Sequence, residues 1–81
     1  MSSKYGVQIE VPGQTPFQSI FGSDNIEDCF AFARTLIYHP AVSNVQTITR
    51  GGAWGVKMVT VPGLRTQYIS VTDADRTYDF R

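Results

Sequence analysis

The sequence predicts an α+β fold in which one helix packs on a mainly antiparallel sheet of four or five strands. Three observations indicate it: an alternating apolar and polar stretch near the N-terminus, one helical period after it, and two alternating runs joined by a glycine pair. The expected order of elements is β-(β)-α-β-β-β, with a short second strand. At 81 residues, the chain is expected to form a single small domain over residues 1–81.

The first strand is predicted from YGVQIEV, residues 5–11, because every second residue from Tyr5 to Val11 is apolar. It ends at Pro12, since proline has no backbone N–H to donate to a ladder. The segment TPFQSIF, residues 15–21, is expected to return as the short second strand.

The helix is predicted from about Asp24 to His39. Asp24 can cap its N-terminus, and Glu27, three residues later, can reach back as in a capping box. Pro40 ends the helix because the residue before a proline disfavours the helical conformation. The apolar residues that recur at helical spacing and predict the buried face are Ile26, Cys29, Phe30, Ala33, Leu36 and Ile37.

A β-hairpin is predicted from VSNVQTITR and AWGVKMVTV, because Gly51-Gly52 between them suits the positive φ angles of a two-residue turn. That turn would set three pairs on the face beneath the helix, namely Val45 with Met58, Thr47 with Val56, and Thr49 with Trp54. The outer face would then carry Gln46 with Lys57, Ile48 with Gly55, and Arg50 with Ala53.

The last clear strand is predicted from RTQYISV, which follows a second Val-Pro-Gly at residues 61–63 and completes an antiparallel meander. Tyr68 falls on its outer face. The N-terminal strand could pair with either edge of this meander. The helix is expected to cover one set of apolar residues: Tyr5, Val7, Ile9, Val45, Val56, Met58, Ile69 and Val71.

The final ten residues, at positions 72–81, mix charges of both signs with Tyr78 and Phe80. Two structures fit such a pattern. It could be an edge strand with a charged outer side, or a tail that orders on a partner.

Trp54, the one tryptophan of the chain, stands among glycines between Arg50 and Lys57. In the predicted register it shares a face with Val56, so the favoured interpretation is a large residue that closes the end of the core. The alternative is a tryptophan exposed at a hairpin tip, where it could stack on a base or anchor an interface.

The charge balance is neutral, with seven basic and seven acidic residues. No field of the whole molecule would therefore attract nucleic acid or an anionic membrane. Near-zero charge resists self-association poorly, so a homodimer or a permanent partner is a reasonable expectation. The N-terminus shows no apolar signal segment and Cys29 has no second cysteine to pair with, which favours a cytoplasmic setting.

No catalytic, metal or cofactor set is expected. Cys29 and the single histidine, His39, lie ten positions apart on the same predicted helix, about 15 Å along its axis at 1.5 Å per residue, so they cannot form a pair. Asp73 and Asp75 begin like a calcium loop, but the glycine and distal glutamate that such a loop needs are missing.

These observations predict a non-enzymatic protein-interaction module that uses the outer sheet face. The residues expected to bind the partner are Gln46, Ile48, Arg50, Trp54, Lys57, Tyr68, Tyr78 and Phe80. In size and plan, though in no motif, the chain is similar to small phage-encoded inhibitors such as anti-CRISPR proteins, which implies an inhibitor or an accessory subunit.

The alternative function is a small nucleic-acid-binding domain that uses the same sheet face, with Trp54 or Tyr68 stacked on bases. Arg50 and Lys57 would supply its phosphate contacts. An enzyme is the third hypothesis, and it would need residues from a second subunit.

Overall fold

The computed structural model of the protein describes residues 3–13, 18–50 and 52–79. Its elements are β1 (Tyr5–Glu10), β2 (Gln18–Ser23), α1 (Ile26–Ile37), β3 (Asn44–Arg50), β4 (Ala53–Thr60), β5 (Gln67–Thr72) and β6 (Thr77–Tyr78). The α+β fold and the order of elements predicted from the sequence are confirmed, and the C-terminal segment adds a sixth strand.

The strands form one antiparallel sheet in the order β2-β1-β5-β4-β3. The meander β3-β4-β5 is therefore confirmed, and β1 pairs with its β5 edge. β5 pairs with β1 from Tyr68 to Thr72. On its other side it pairs first with β4, at Gln67–Ile69, and then with β6, at Val71 and Thr72. β6 therefore lies where β4 has turned away from β5.

α1 begins one residue later than the sequence predicts. Its N-cap is Asn25, which has extended backbone angles and whose side chain accepts a hydrogen bond from the backbone N–H of Glu27. Asp24, the predicted cap, accepts instead from the backbone N–H of Lys4 at 2.9 Å. In the described part of the chain, no helix has the length and apolar character needed to cross a membrane.

The core lies between α1 and one face of the sheet. The residues of this core that are fully or almost fully buried come from α1 and from the sheet: Val7, Cys29, Phe30, Ala33, Ile37, Val59, Ile69 and Val71. Stacked rings of Phe21 and Phe32, 4.5 Å apart, extend the core towards β2. Cys29 is a small core residue, as predicted, and burial raises the pKa of its thiol.

The register of the hairpin differs from the prediction by one residue. Arg50 pairs with Ala53 as predicted, but Ile48 pairs with Val56 and not with Gly55, because β4 carries one extra residue between these two pairs. Every side chain of β4 after the bulge therefore points to the face opposite the one predicted for it. Val56 and Met58 lie on the outer face, and Val59 takes the predicted place of Met58 opposite Val45.

The outer face of the sheet is concave. Arg50 on β3 donates from Nε to Glu10 on β1 at 2.7 Å, although two strands lie between them. Three ladder spacings in a flat sheet would separate those strands by about 14 Å, so the face must curve to bring the side chains together. Val56 and Ser70 are buried on this face although α1 covers the opposite one. The predicted open face is thus partly closed.

Candidate interaction site

A groove of about 520 Å³ opens at one end of the molecule, between the first turn of α1 and strand β6. We call it the Trp54 groove. Its lining combines aromatic, charged and apolar residues: Tyr5, Ile26, Glu27, Phe30, Trp54, Arg76, Thr77, Tyr78 and Asp79. Its volume is within the range of about 300–1,000 Å³ that is typical of ligand sites.

Trp54 forms a wall of the groove and is 58% exposed. The favoured prediction, that Trp54 closes the end of the core, is therefore wrong. The bulge in β4 separates the two residues: Ala53 keeps its predicted partner Arg50, but Val56 beyond the bulge faces the outer side, so Trp54 and Val56 do not share a face. The indole Nε1–H donates a hydrogen bond to Asp79 at 2.9 Å. The ring is thus held in one orientation while more than half of its surface stays in water.

Gly55 allows β6 to approach β4 closely enough to form the groove. Its φ is +82°, in the left-handed region. A Cβ at this position would lie 2.9 Å from the Cα of Asp79 and 3.2 Å from the carbonyl oxygen of Tyr78. The glycine therefore permits the bulge and also makes room for Tyr78 and for Asp79, the hydrogen-bond partner of Trp54, which directly follows β6.

Tyr78 is fixed from two sides. Its ring meets the ring of Tyr5 edge to face, with centroids 5.8 Å apart. Its hydroxyl donates a hydrogen bond to the Asp73 carboxylate. Asp73 also accepts from the backbone N–H groups of Asp75 and Arg76, at 2.7 and 2.9 Å. Tyr78 foremost, and then these backbone donors, lower the pKa of Asp73. The same bond raises the pKa of Tyr78.

The eight residues predicted to bind a partner fall into separate places. Trp54 and Tyr78 come together in the groove. By register, Gln46, Ile48, Arg50 and Tyr68 share the outer face, where the guanidinium of Arg50 lies 4.0 Å from the centre of the Tyr68 ring.

The outer-face position predicted for Lys57 is wrong. Its side chain points to the helix side, where its ammonium donates to Thr47. Phe80 lies outside the described residues.

The sequence did not predict that residues of α1, or the residue that follows β6, would line a groove. Glu27 and Phe30 were assigned only to the helix, and Asp79 only to a charged tail. One signal was present in the sequence: the third glycine of GGAWG has no role in a two-residue turn, and an isolated glycine within a strand indicates a bulge.

The described residues bring together no three histidine, cysteine or carboxylate side chains that could hold a metal ion. His39 lies beyond the end of α1, where its Nδ1 accepts a hydrogen bond from the backbone N–H of Ala41 at 3.1 Å. A smaller hollow of about 200 Å³ lies beside it, lined by apolar residues that include Leu36, Val42 and Leu64.

We found no protein-family model, curated protein or solved structure that matches this chain. The fold and the site define a small α+β domain with an aromatic groove at one end.

Proposed function

We propose that the chain is a non-enzymatic protein-interaction module and that the Trp54 groove is its contact surface. One observation carries the proposal: the single tryptophan stands 58% exposed beside a groove of about 520 Å³, with its indole N–H fixed by Asp79. A small inhibitor or an accessory subunit is the form of module that the size of the chain supports best.

An exposed, oriented tryptophan supports binding for a physical reason. Its large apolar surface gains free energy when a partner removes it from water, and tryptophan is enriched among the residues that dominate protein interfaces. Because the hydrogen bond to Asp79 already restricts the ring, less side-chain entropy is lost when a partner docks.

A protein partner is favoured over nucleic acid by where the cations lie. Arg50 is bound to Glu10, and Lys57 points away from Arg50 to the helix side. The described lining of the groove has two carboxylates, Glu27 and Asp79, and one cation, Arg76. Phosphate groups need clustered cations, which this lining does not offer.

The test is capture of partners from a lysate of the source organism, with the tagged chain and its Trp54→Ala variant as baits. Tyr38→Ala is the matched control, because Tyr38 is also an exposed aromatic residue, at 76%, and lies at the other end of α1. We expect the native chain and the control to capture a stoichiometric protein partner after nuclease treatment, and Trp54→Ala to capture at least about tenfold less.

Equal capture by Trp54→Ala would contradict the groove as the contact surface. Capture that disappears with nuclease would contradict a protein partner and favour the nucleic-acid alternative. Circular dichroism of the two variants should match that of the native chain, because both substitutions remove exposed side chains.

A further inference from the structure

We infer that the partner inserts a basic side chain, a lysine or an arginine, into the Trp54 groove. The inference rests on the proposed function and names the chemistry of the partner that the groove would recognise. It follows from the aromatic walls of the groove together with the distribution of charge around it.

The walls of the groove have the composition of a cation site. Tyr5, Trp54 and Tyr78 supply accessible aromatic rings, whereas Phe30 is only 2% exposed, and Glu27 and Asp79 supply carboxylates. A cation over an aromatic face is attracted by the ring quadrupole, most strongly by tryptophan. A carboxylate at the edge of such a site adds a charge-assisted hydrogen bond to an ammonium or guanidinium group.

Cations of the chain itself already pack on rings at this end. The ammonium of Lys4 lies 5.3 Å from the centre of the Tyr5 ring, and the guanidinium of Arg76 lies 4.4 Å from that of Tyr78. Arg76 is the one cation of the described lining, and its attraction to Asp73 offsets part of its charge. The rings of this end are therefore suited to cations, and Arg76 does not make the groove basic.

The charge of the molecule is segregated although its sum is zero. Six of the seven acidic residues lie in the two segments that form or flank the groove, residues 24–28 and 73–79: Asp24, Glu27, Asp28, Asp73, Asp75 and Asp79. Against them, those segments and the neighbouring β1 end contribute Lys4 and Arg76 among the described residues. This excess outweighs the partial positive charge of the helix N-terminus. The groove is thus complementary to a basic group.

The size of the groove agrees with this occupant. A volume of about 520 Å³ accommodates one long side chain with its methylene stem on the rings and its charged head at the carboxylates. The open end of the groove lets the rest of the partner stay outside.

The inference can be tested with synthetic peptides, because Trp54 is the only tryptophan and its fluorescence reports on the groove directly. The probe is a capped glycine-rich peptide that contains one arginine and one lysine. Peptides of the same length with glutamate or serine in those places are its controls. We expect a saturable change in Trp54 emission with the basic peptide alone, and weaker binding as ionic strength rises.

The deciding variant is Glu27→Gln with Asp79→Asn, which removes both carboxylates of the lining and leaves an amide oxygen at position 79 to accept from the indole. Binding of the basic peptide should weaken about tenfold. The matched control is Ala41→Lys with Asn44→Lys, which changes the net charge by the same amount at exposed positions beyond the C-terminal end of α1, away from the groove. That control should bind as the native chain does.

No response to the basic peptide, an equal response to the serine peptide, or unchanged binding by the carboxylate variant would overturn the inference. These results are distinct from failure of the proposed function. If Trp54→Ala still loses its captured partner while the basic peptide does not bind, the groove is the contact surface and the basic chemistry is wrong.

Discussion

Gly55 is the residue on which the candidate site depends most. It combines a φ of +82° with close contacts to Asp79, the residue directly after β6, that leave no room for a Cβ. Such an atom would collide with a carboxylate oxygen of Asp79 and lie 2.9 Å from its Cα. The Asp79 carboxylate could rotate away from the added Cβ, but the Asp79 Cα belongs to the backbone and could not. Any substitution must therefore move β6.

Gly55→Ala is expected to lower the free energy of unfolding by about 3 kcal/mol, through left-handed strain and displacement of β6. Gly52→Ala is the matched control, because Gly52 has nearly the same φ, +84°, and nothing within 4 Å of the added atom. In Gly52→Ala, the strain of the positive φ alone should lower the free energy of unfolding by about 1 kcal/mol. Urea unfolding of both variants measures the difference, and equal losses would mean that contact with β6 adds nothing.

Single residues show where local sequence rules are accurate and where they stop. The rule that a helix begins at an Asp, Asn, Ser or Thr located the start of α1, yet Asp24 and Asn25 both satisfied it. The choice between them depends on Lys4, twenty positions away, whose backbone N–H donates a hydrogen bond to the Asp24 carboxylate. No local pattern contains that information.

Among the elements, the strands were predictable and their register was not. The alternation of apolar residues predicted β1, β3, β4 and β5, and the glycine pair predicted the hairpin. A register derived from the turn assumes an unbroken ladder, and the bulge before Val56 moved Met58 and Lys57 to the opposite faces. The groove could not be predicted, because it requires β6 to meet the bulge, and that contact is long-range.

The short strand β6 is held by side chains as much as by its ladder, and this makes its stability depend on pH. Asp73 accepts from Tyr78 and from two backbone N–H groups, which lower its pKa below the ordinary 3.8. Because the folded state binds this proton less tightly than the unfolded state, the stabilisation is complete above the ordinary pKa. It is lost as the pH falls through the lowered value.

Tyr78→Phe is therefore expected to raise the pKa of Asp73 towards 3.8, as followed by NMR titration of its carboxyl carbon. In the same way, the advantage in stability of the native chain over Asp73→Asn should shrink as the pH is lowered from neutrality to below 3.8. An unchanged pKa of Asp73 in Tyr78→Phe would show that the backbone donors alone account for the shift.

At the scale of the whole molecule, β5 links all the other parts of the sheet. It pairs with β1, β4 and β6, and its consecutive residues Ile69, Ser70 and Val71 are all buried. β3 and β2 lie at the edges. Opening β5 therefore requires that the whole sheet come apart, whereas β6 and the edge strands can open on their own.

Hydrogen exchange measured by NMR should follow this arrangement. The slowest amides are expected in β5, with protection close to the free energy of global unfolding, and β6 should exchange through local opening at least about tenfold faster. Slower exchange in the β3–β4 hairpin than in β5 would contradict this order and would place the most stable unit at the edge of the sheet.

The net charge was a poor guide to the surface. A sum of zero indicated that no strong field surrounds the protein, but it could not show that the carboxylates gather around one groove. Segments 24–28 and 73–79 are far apart in sequence, and the fold alone brings them to the same end. Composition gives only the total charge of the chain, whereas recognition of a partner depends on where the individual charges lie on the surface.

The central position of β5 also has a consequence for biosynthesis. As the chain leaves the ribosome, the β1–β2 and β3–β4 hairpins emerge first, but β1 has no neighbour on its inner side until residues 67–72 arrive. Until then both hairpins keep unpaired strand edges and exposed apolar residues. The sheet can therefore close only once β5 has been synthesised, and until then no shared ladder connects the two hairpins.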